Sequence, residues 1–177
     1  MLEEIVKSDY FGTIKKDLCG ILSEYKFAIP YFEKKVEVYF GLEIDDDDNE
    51  IILVDNNLRK RPYKLPTKNE LIQYECTLKS FLENIDEIIK LIKKEAFKYY
   101  KEKKEPYGYG NDIPLINNDS EHFEYMKDLL FLRILKDNNI LLEIGYGIDE
   151  EHAMEILIKN NQVYKIDEAG YYVLMSK

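Results

Sequence analysis

The segment from Thr67 to Tyr100 constrains the fold most, because its apolar residues recur at helical spacing. Thr67 is a suitable N-cap, and Glu70 three residues later completes a capping-box pattern. Two apolar stripes follow and are separated near Asn84, which can cap again. They comprise Leu71, Tyr74, Leu78, Phe81 and Leu82, and then Ile85, Ile88, Ile89, Ile92, Ala96, Tyr99 and Tyr100. The pattern predicts two helices, or one broken helix, in the middle of the chain.

Short segments with strand-like composition precede this helical region. They are Tyr10–Ile14, Ile21–Ile29, Lys35–Ile44 and Glu50–Asp55. In the third, Val36, Val38 and Phe40 alternate with Glu37 and Tyr39, which is the period of a half-buried strand. Consecutive short strands with short connections predict an antiparallel meander. Residues 56–66 are basic and show no strand alternation, so we expect an irregular segment there.

A second strand-rich region follows the helices. Residues 105–118 are rich in Pro, Gly and Asn and predict a long loop, and Asp119 or Ser120 can cap a short helix that ends near Lys127. Turns are expected at residues 137–139 and 160–161. The predicted strands are Leu129–Leu135, Ile140–Tyr146, Ala153–Ile158 and Val163–Ile166, with Tyr171–Leu174 as a possible last one.

The order of these elements predicts an α+β fold. It consists of an N-terminal antiparallel β-meander, a central helical pair and a C-terminal antiparallel β-meander. The length of 177 residues suits one domain covering residues 1–177. Residues 105–118 are the best boundary if the chain has two lobes, residues 1–104 and 119–177. Whether the two β regions join into one sheet or stay separate is open at this level.

The charge of the chain bears on its partners. The formal net charge is −10 and the pI about 4.8, and a field of that sign repels nucleic-acid backbones. It suits a basic protein partner, or solubility alone. The N-terminal residues lack the apolar core of a signal peptide, and the apolar runs are too short to span a membrane. Cys19 and Cys76 are far apart in the sequence and form no CxxC or Cys/His motif, which is typical of reduced thiols in a cytoplasmic protein. We therefore expect a cytoplasmic protein, and we expect no cofactor.

The turn Asp149-Glu150-Glu151-His152 is the segment with the most site-like chemistry. It lies between two predicted strands and holds one of the two histidines, the other being His122. A carboxylate can orient a histidine that binds zinc or moves a proton. A catalytic zinc site, however, needs a spaced set of His, Cys, Asp or Glu ligands, and no such motif is present. A structural turn is the simpler interpretation.

Two charged stretches complete the candidates. The tract Asp45, Asp46, Asp47, Asp48 lacks the spacing and the glycine of an EF-hand loop. It is typical of a solvated hairpin tip, and it is also an acidic surface that could meet a basic partner. Lysines collect near the end of the second helix, where we expect solvated helix faces with extended side chains. They are Lys90, Lys93, Lys94, Lys98, Lys101, Lys103 and Lys104.

Several motifs resemble a family of small, uncharacterised bacterial cytoplasmic proteins that contain a domain of unknown function. The matching stretches are Phe11-Gly12, Pro30 to Val38, Phe81 to Asn84, Ala96 to Tyr100, and Asp149 to Ile156. They cover nearly the whole chain in the same order. The chain departs from that pattern in having Ala153 where the family often has Gly, and in having no Trp. Some members resemble immunity proteins of polymorphic or contact-dependent toxin systems.

The resemblance and the acidic charge together predict a non-enzymatic binding protein, an immunity protein that neutralises a cognate, basic toxin. The expected partner-binding residues are those of the two acidic stretches: Asp45, Asp46, Asp47, Asp48, Asp149, Glu150, Glu151 and His152. One alternative is a metal-dependent or acid/base enzyme that uses His152 with Asp149 or Glu151. Another is a structural module that assembles through the edge strands of its meanders.

Overall fold

The fold was analysed in a computed structural model of the chain. It describes residues 6–17, 20–42, 49–54, 57–107, 115–149 and 151–169, and only the backbone of the two strands between residues 49 and 62. The predicted Tyr171–Leu174 strand lies outside the described residues.

Ten strands and three α-helices make up the described chain. The strands are β1 Val6–Ser8, β2 Gly12–Lys16, β3 Ile21–Ala28, β4 Lys35–Phe40, β5 Asn49–Val54, β6 Asn57–Pro62, β7 Asp128–Leu135, β8 Asn139–Gly145, β9 Met154–Lys159 and β10 Gln162–Glu168. The helices are α1 Lys68–Glu83, α2 Ile85–Tyr99 and α3 Asp119–Phe123. A π-helical turn, Tyr100–Lys104, extends α2, and 3-10 turns follow it and α3. None of the described helices is long and apolar enough to cross a membrane.

One sheet contains strands from both halves of the chain. Its eight strands follow the order β1-β2-β3-β4-β7-β8-β9-β10, while β5 and β6 form a separate two-stranded sheet. Within the described sheet every neighbouring pair is antiparallel except β4 and β7, which are parallel, with Val38 opposite Leu132 and Phe40 opposite Ile134. The two meanders therefore join edge to edge, and the α+β fold is confirmed.

The helices pack against one face of this sheet. Alternate positions of the central strands place an apolar row on that face, and the row runs through Val38, Leu132, Leu142, Ile156 and Ile166. Buried residues of the helix stripes belong to the same core, among them Leu78, Phe81 and Ile88. A smaller cluster of Leu135, Leu141 and Leu157 lies apart from this core and packs against Leu42. The alternation of the strands thus predicts which side chains the helices cover.

Local sequence signals account for the helix start and the hairpin turns. The capping box is confirmed, since the Thr67 side chain accepts from the backbone of Glu70 and the Glu70 carboxylate accepts from the Thr67 backbone. Both predicted turns are present, with positive φ at residues 137, 138, 160 and 161. Asp and Asn tolerate this left-handed backbone better than most residues. At Asn160-Asn161 it matches the twist of a two-residue hairpin, whereas the loop between the paired residues Leu135 and Asn139 has three residues.

Three details of the prediction are wrong. The basic segment that we expected to be irregular contains β6, which pairs with β5 along its whole length. Its alternation is hidden because four consecutive residues, 59–62, are basic or proline. The cap of α3 is Asn118, one residue before the predicted caps. Asn84 occupies the junction between α1 and α2 but makes no side-chain cap; its amide donates back to Ser80. Here tertiary packing of Ile85 and Ile88, rather than a cap, holds the start of α2.

We expect the substitution Thr67→Ala to destabilise the protein by about 1 kcal/mol, because it removes the side-chain acceptor for the Glu70 amide. Thr67→Ser keeps that oxygen and should lose much less. Urea unfolding followed by circular dichroism measures both values. Equal stability of the Ala and Ser variants would show that the capping box does not hold α1.

Candidate functional site

The turn that follows β8 is fixed by backbone hydrogen bonds. The amide of Gly147 donates to the Tyr125 carbonyl, and that of Asp149 donates to the Tyr146 carbonyl, both at 2.9 Å. The His152 amide donates to the carbonyl of Asp149 at 3.2 Å. These bonds point the Asp149 side chain inward and leave His152 at the surface, with a side chain that is 3% exposed for Asp149 and 50% for His152.

Lys104 lies at the centre of the side-chain cluster beside this turn. Its ammonium donates to Asp149 Oδ2 at 2.7 Å and also to Glu168 Oε1, the last residue of β10. The Lys104 side chain is 2% exposed. His152 Nδ1 also lies 3.2 Å from each oxygen of the Asp149 carboxylate. One buried ammonium therefore ties the end of the helical region to the turn and to β10.

The electrostatics of the cluster favour its charged form. Burial alone would raise the pKa of Asp149, but hydrogen bonds from Lys104 and His152 and the positive charge of Lys104 lower it below its ordinary value. Burial alone would likewise lower the pKa of Lys104, and the two carboxylates outweigh this and raise it. The ammonium and the Asp149 carboxylate are therefore both ionised at neutral pH.

The same residues form a group with the donor types of a metal site. One donor atom each from Asp149, His152 and Glu168 lies within 4.8 Å of the others. Lys104 already contacts both carboxylates, so its ammonium occupies the position in which a cation would be bound. A metal ion would have to displace a buried lysine whose pKa is raised. The arrangement is better suited to hold the turn than to hold an ion.

His122 belongs to a second, aromatic group within the core. It is fully buried, and its Nε2 lies 2.7 Å from the hydroxyl of Tyr146. The rings of Phe97 and Tyr100 pack against the imidazole. Burial lowers the pKa of His122 to about 4, so the imidazole is neutral at physiological pH. This histidine stabilises the core and supplies the partner that the buried tyrosine hydroxyl requires.

Of the predicted partner-binding residues, some lie outside the described part of the chain, two are exposed and one is buried. Asp45 to Asp48 and Glu150 lie outside the described residues. Glu151 and His152 are exposed, whereas Asp149 is buried and engaged by Lys104. A contact surface at this turn would therefore use Glu151 and His152, with Asp149 holding them in place.

Sequence reasoning missed two members of the cluster, Lys104 and Glu168. Lys104 was grouped with the solvated lysines of the helix end. Its position contained a usable signal, because Ile92, Ala96, Tyr100 and Lys104 are four residues apart and continue the buried stripe. Glu168 carries no such signal, since only the sheet brings the end of β10 to this point. Cys76, in α1, is exposed.

A cleft lies at the carboxyl ends of the parallel strands β4 and β7. Its volume is about 540 Å³. The lining comes from the residues after β4, the segment that leads into α1, the first turns of α1 and the β7–β8 hairpin: Ile21, Phe40, Gly41, Leu42, Lys64, Leu65, Pro66, Thr67, Glu70, Tyr74, Leu135, Lys136, Asp137 and Asn139. The volume is within the range of ligand-binding pockets.

Comparison with known families assigns the chain to one of them. A family model described as "Domain of unknown function (DUF6985)" matches residues 10–173. The chain belongs to this family. No curated protein and no solved structure matches the chain. This match confirms the predicted resemblance to a family with a domain of unknown function, and the description names no activity.

We expect Lys104→Met to destabilise the protein by about 3–5 kcal/mol, because it leaves the Asp149 carboxylate buried without a cation. Urea unfolding measures the loss. Lys103→Met is the matched control, since Lys103 is exposed and should change stability by less than about 0.5 kcal/mol. Adding Asp149→Asn to Lys104→Met should restore part of the lost stability. A strongly destabilised Lys103→Met, or no recovery in the double variant, would contradict the buried ion pair.

Acidification should destabilise the protein through His122. Between pH 6.5 and about 4 the unfolded chain binds a proton on this imidazole that the folded protein excludes, so stability falls as the pH falls through this window. At pH 4 the loss amounts to about 3 kcal/mol. Unfolding free energies measured from pH 7 to pH 4 should therefore decline less steeply for His122→Gln. The same decline in both proteins would rule out His122 as the cause, and His152→Gln is the control for the other histidine.

Proposed function

We propose that this protein is a non-enzymatic binding protein that acts in the bacterial cytoplasm as an immunity protein, neutralising a cognate basic toxin by covering its working surface. The net charge of −10 is the observation that carries the proposal. A field of that strength attracts a basic partner over distances comparable to the Debye length and raises the association rate.

The state of the chemistry-bearing side chains supports binding over catalysis. The charges of Asp149 and Lys104 neutralise each other inside the protein. His122 is neutral, fully buried and bonded to a tyrosine. These groups serve the stability of the fold, whereas a general acid or base needs access to its substrate. Exposed carboxylates, such as Glu151, are the groups left for recognition.

Exposed aromatic side chains provide contacts of the kind that dominate protein interfaces. Tyr25, Tyr31 and Tyr164 are each about half exposed, at 51%, 47% and 58%. The Tyr31 hydroxyl donates to Asp86 at 2.6 Å, which holds the ring in one orientation. Lys159 lies over the ring of Tyr164, 3.6 Å from its centre. Tyrosines that are held in place in this way lose little entropy when they bind a partner.

The test uses the protein encoded next to this chain in its genome as the partner. We expect the neighbour to be toxic when expressed alone and harmless when it is co-expressed with this chain. The purified pair should associate about tenfold more slowly at 500 mM than at 50 mM salt, as stopped-flow fluorescence would show. A neighbour that is harmless alone, or a pair that does not bind, would remove the basis of the proposal.

A charge-matched pair of variants separates local contact from the overall field. One variant replaces the four acids of the tract Asp45–Asp48 by Asn. The control replaces four exposed helical or turn acids by Gln: Glu83, Glu87, Glu102 and Glu124. Both change the net charge equally, so both should slow association alike. Only the first should also speed dissociation if the tract touches the partner, and equal dissociation rates would exclude that contact.

A further inference from the structure

The cleft beside α1 lies at the one place in the described sheet where two neighbouring strands run in the same direction. The carboxyl ends of β4 and β7 lead into its walls, and α1 begins at its rim. In open sheets with parallel strands, ligands are bound in the crevice outside those carboxyl ends. The position of the cleft thus follows from the parallel pairing of β4 and β7 and from the long connection between them.

The floor of the cleft is apolar and partly aromatic. Ile21, Phe40, Tyr74 and Leu135 are buried side chains that reach its surface. The rings of Phe40 and Tyr74 stack with centres 5.4 Å apart and planes inclined by 27°. At the mouth, Leu42 and Leu65 are half-buried. Because Phe40 is 2% and Tyr74 6% exposed, an occupant with an apolar ring would contact the edge of this stack together with the two leucines.

The rim of the cleft carries balanced charge. Lys64 and Lys136 are opposed by Glu70 and Asp137. One oxygen of Glu70 accepts from the Thr67 backbone in the capping box, and the other lies 3.8 Å from the Lys136 ammonium. Among the described lining residues, two positive charges are therefore balanced by two negative ones. Such a rim favours an uncharged group inside the cleft. Its polar side chains can form hydrogen bonds with the backbone of the molecule to which that group belongs.

The chain leaves and re-enters the rim of the cleft at the β5–β6 hairpin. Leu42 precedes this hairpin and Lys64 follows it, and both line the cleft. The hairpin forms a sheet of its own, outside the ladders of the described eight-stranded sheet. A two-stranded hairpin is marginally stable by itself in water, so contact with another protein surface would stabilise it. A protein partner that contacts the chain on either side of the hairpin, at Leu42 and Lys64, would also contact the cleft that these residues line.

We propose that this cleft is the anchor pocket of the partner-binding surface, and that it receives one uncharged aromatic side chain of the partner protein. The inference rests on the proposed binding function and names the place and the chemistry of its central contact. Aromatic side chains that enter a preformed pocket are the usual dominant contacts of protein interfaces. The acidic field brings a basic partner to the surface, and the cleft then fixes its position.

The first experiment tests the pocket without any partner. N-acetyl-phenylalanine amide is titrated into 15N-labelled protein, with phenylacetate and phenethylamine as charged probes of similar ring size. We expect shifts at Leu42, Leu65, Thr67 and Asn139 and a dissociation constant of about millimolar size for the neutral probe. Both charged probes should bind more weakly. The proposal fails if these amides do not move, or if either charged probe binds better.

The second experiment uses the complete protein and its partner. Leu65→Asp places a charge at the mouth of the cleft and should weaken partner binding at least tenfold. Ile72→Asp is the charge control, because Ile72 lies in the nearby helix α1, is 59% exposed and does not line the cleft. Leu65→Trp fills the mouth with an apolar ring and should also weaken binding while preserving the fold. Thermal unfolding confirms that each variant is folded.

The outcomes separate this inference from the proposed function. Loss of binding in both Leu65 variants, with normal binding of Ile72→Asp, supports the anchor pocket. Normal partner binding by the folded Leu65 variants overturns the anchor pocket and leaves the immunity function standing. A wild-type protein that binds no partner overturns the proposed function, and the probe titration then decides whether the cleft accepts an aromatic group.

Discussion

The parallel pairing of β4 with β7 is the constraint on which the rest of the structure depends. Adjacent parallel strands cannot be joined by a tight turn, so the chain between them must leave the sheet and return at the opposite end. That crossover contains the β5–β6 hairpin and all three α-helices. It brings the helices over one face, where the apolar row through Val38, Leu132 and Leu142 is buried, and it opens the cleft where the two strands end.

Lys104 fixes the other end of the helical region to the sheet, through Asp149 and Glu168. The π-helical turn that contains it continues α2 past Tyr100, and its ammonium enters the interior between Asp149 and Glu168. Hydrophobic side chains in place of both Lys104 and Asp149 would close the core equally well, but they would not specify the register of the turn and of β10 relative to α2. Buried ion pairs contribute little net stability and some specificity. We interpret the cluster as such a specifying contact.

The sequence predicts most elements because their signals are local. The capping box at Thr67, the helical stripes and the Asp-Asn turns each act within a few residues. The sequence does not predict that β4 pairs with β7. The apolar alternation within each strand is the same whether the two meanders join into one sheet or stay separate. Nor does the sequence predict the cluster, because Glu168 is more than sixty residues from Lys104 along the chain and nothing in its neighbourhood marks it. Strand β6 is not predicted, because its side chains are mostly basic and show no apolar alternation, and only its backbone hydrogen bonds to β5 reveal it.

The cleft and the Lys104 cluster lie at opposite ends of β8, because Asn139 lines the cleft and the turn with Asp149 follows Gly145. Seven strand residues separate them, which corresponds to about 20 Å. Substitutions at sites this far apart are expected to change the free energy of unfolding additively. The chain therefore places the contact that specifies its fold at the opposite end of β8 from the cleft. Under the proposed binding function, substitutions in the cleft would change partner binding without weakening the ion pair that holds the turn.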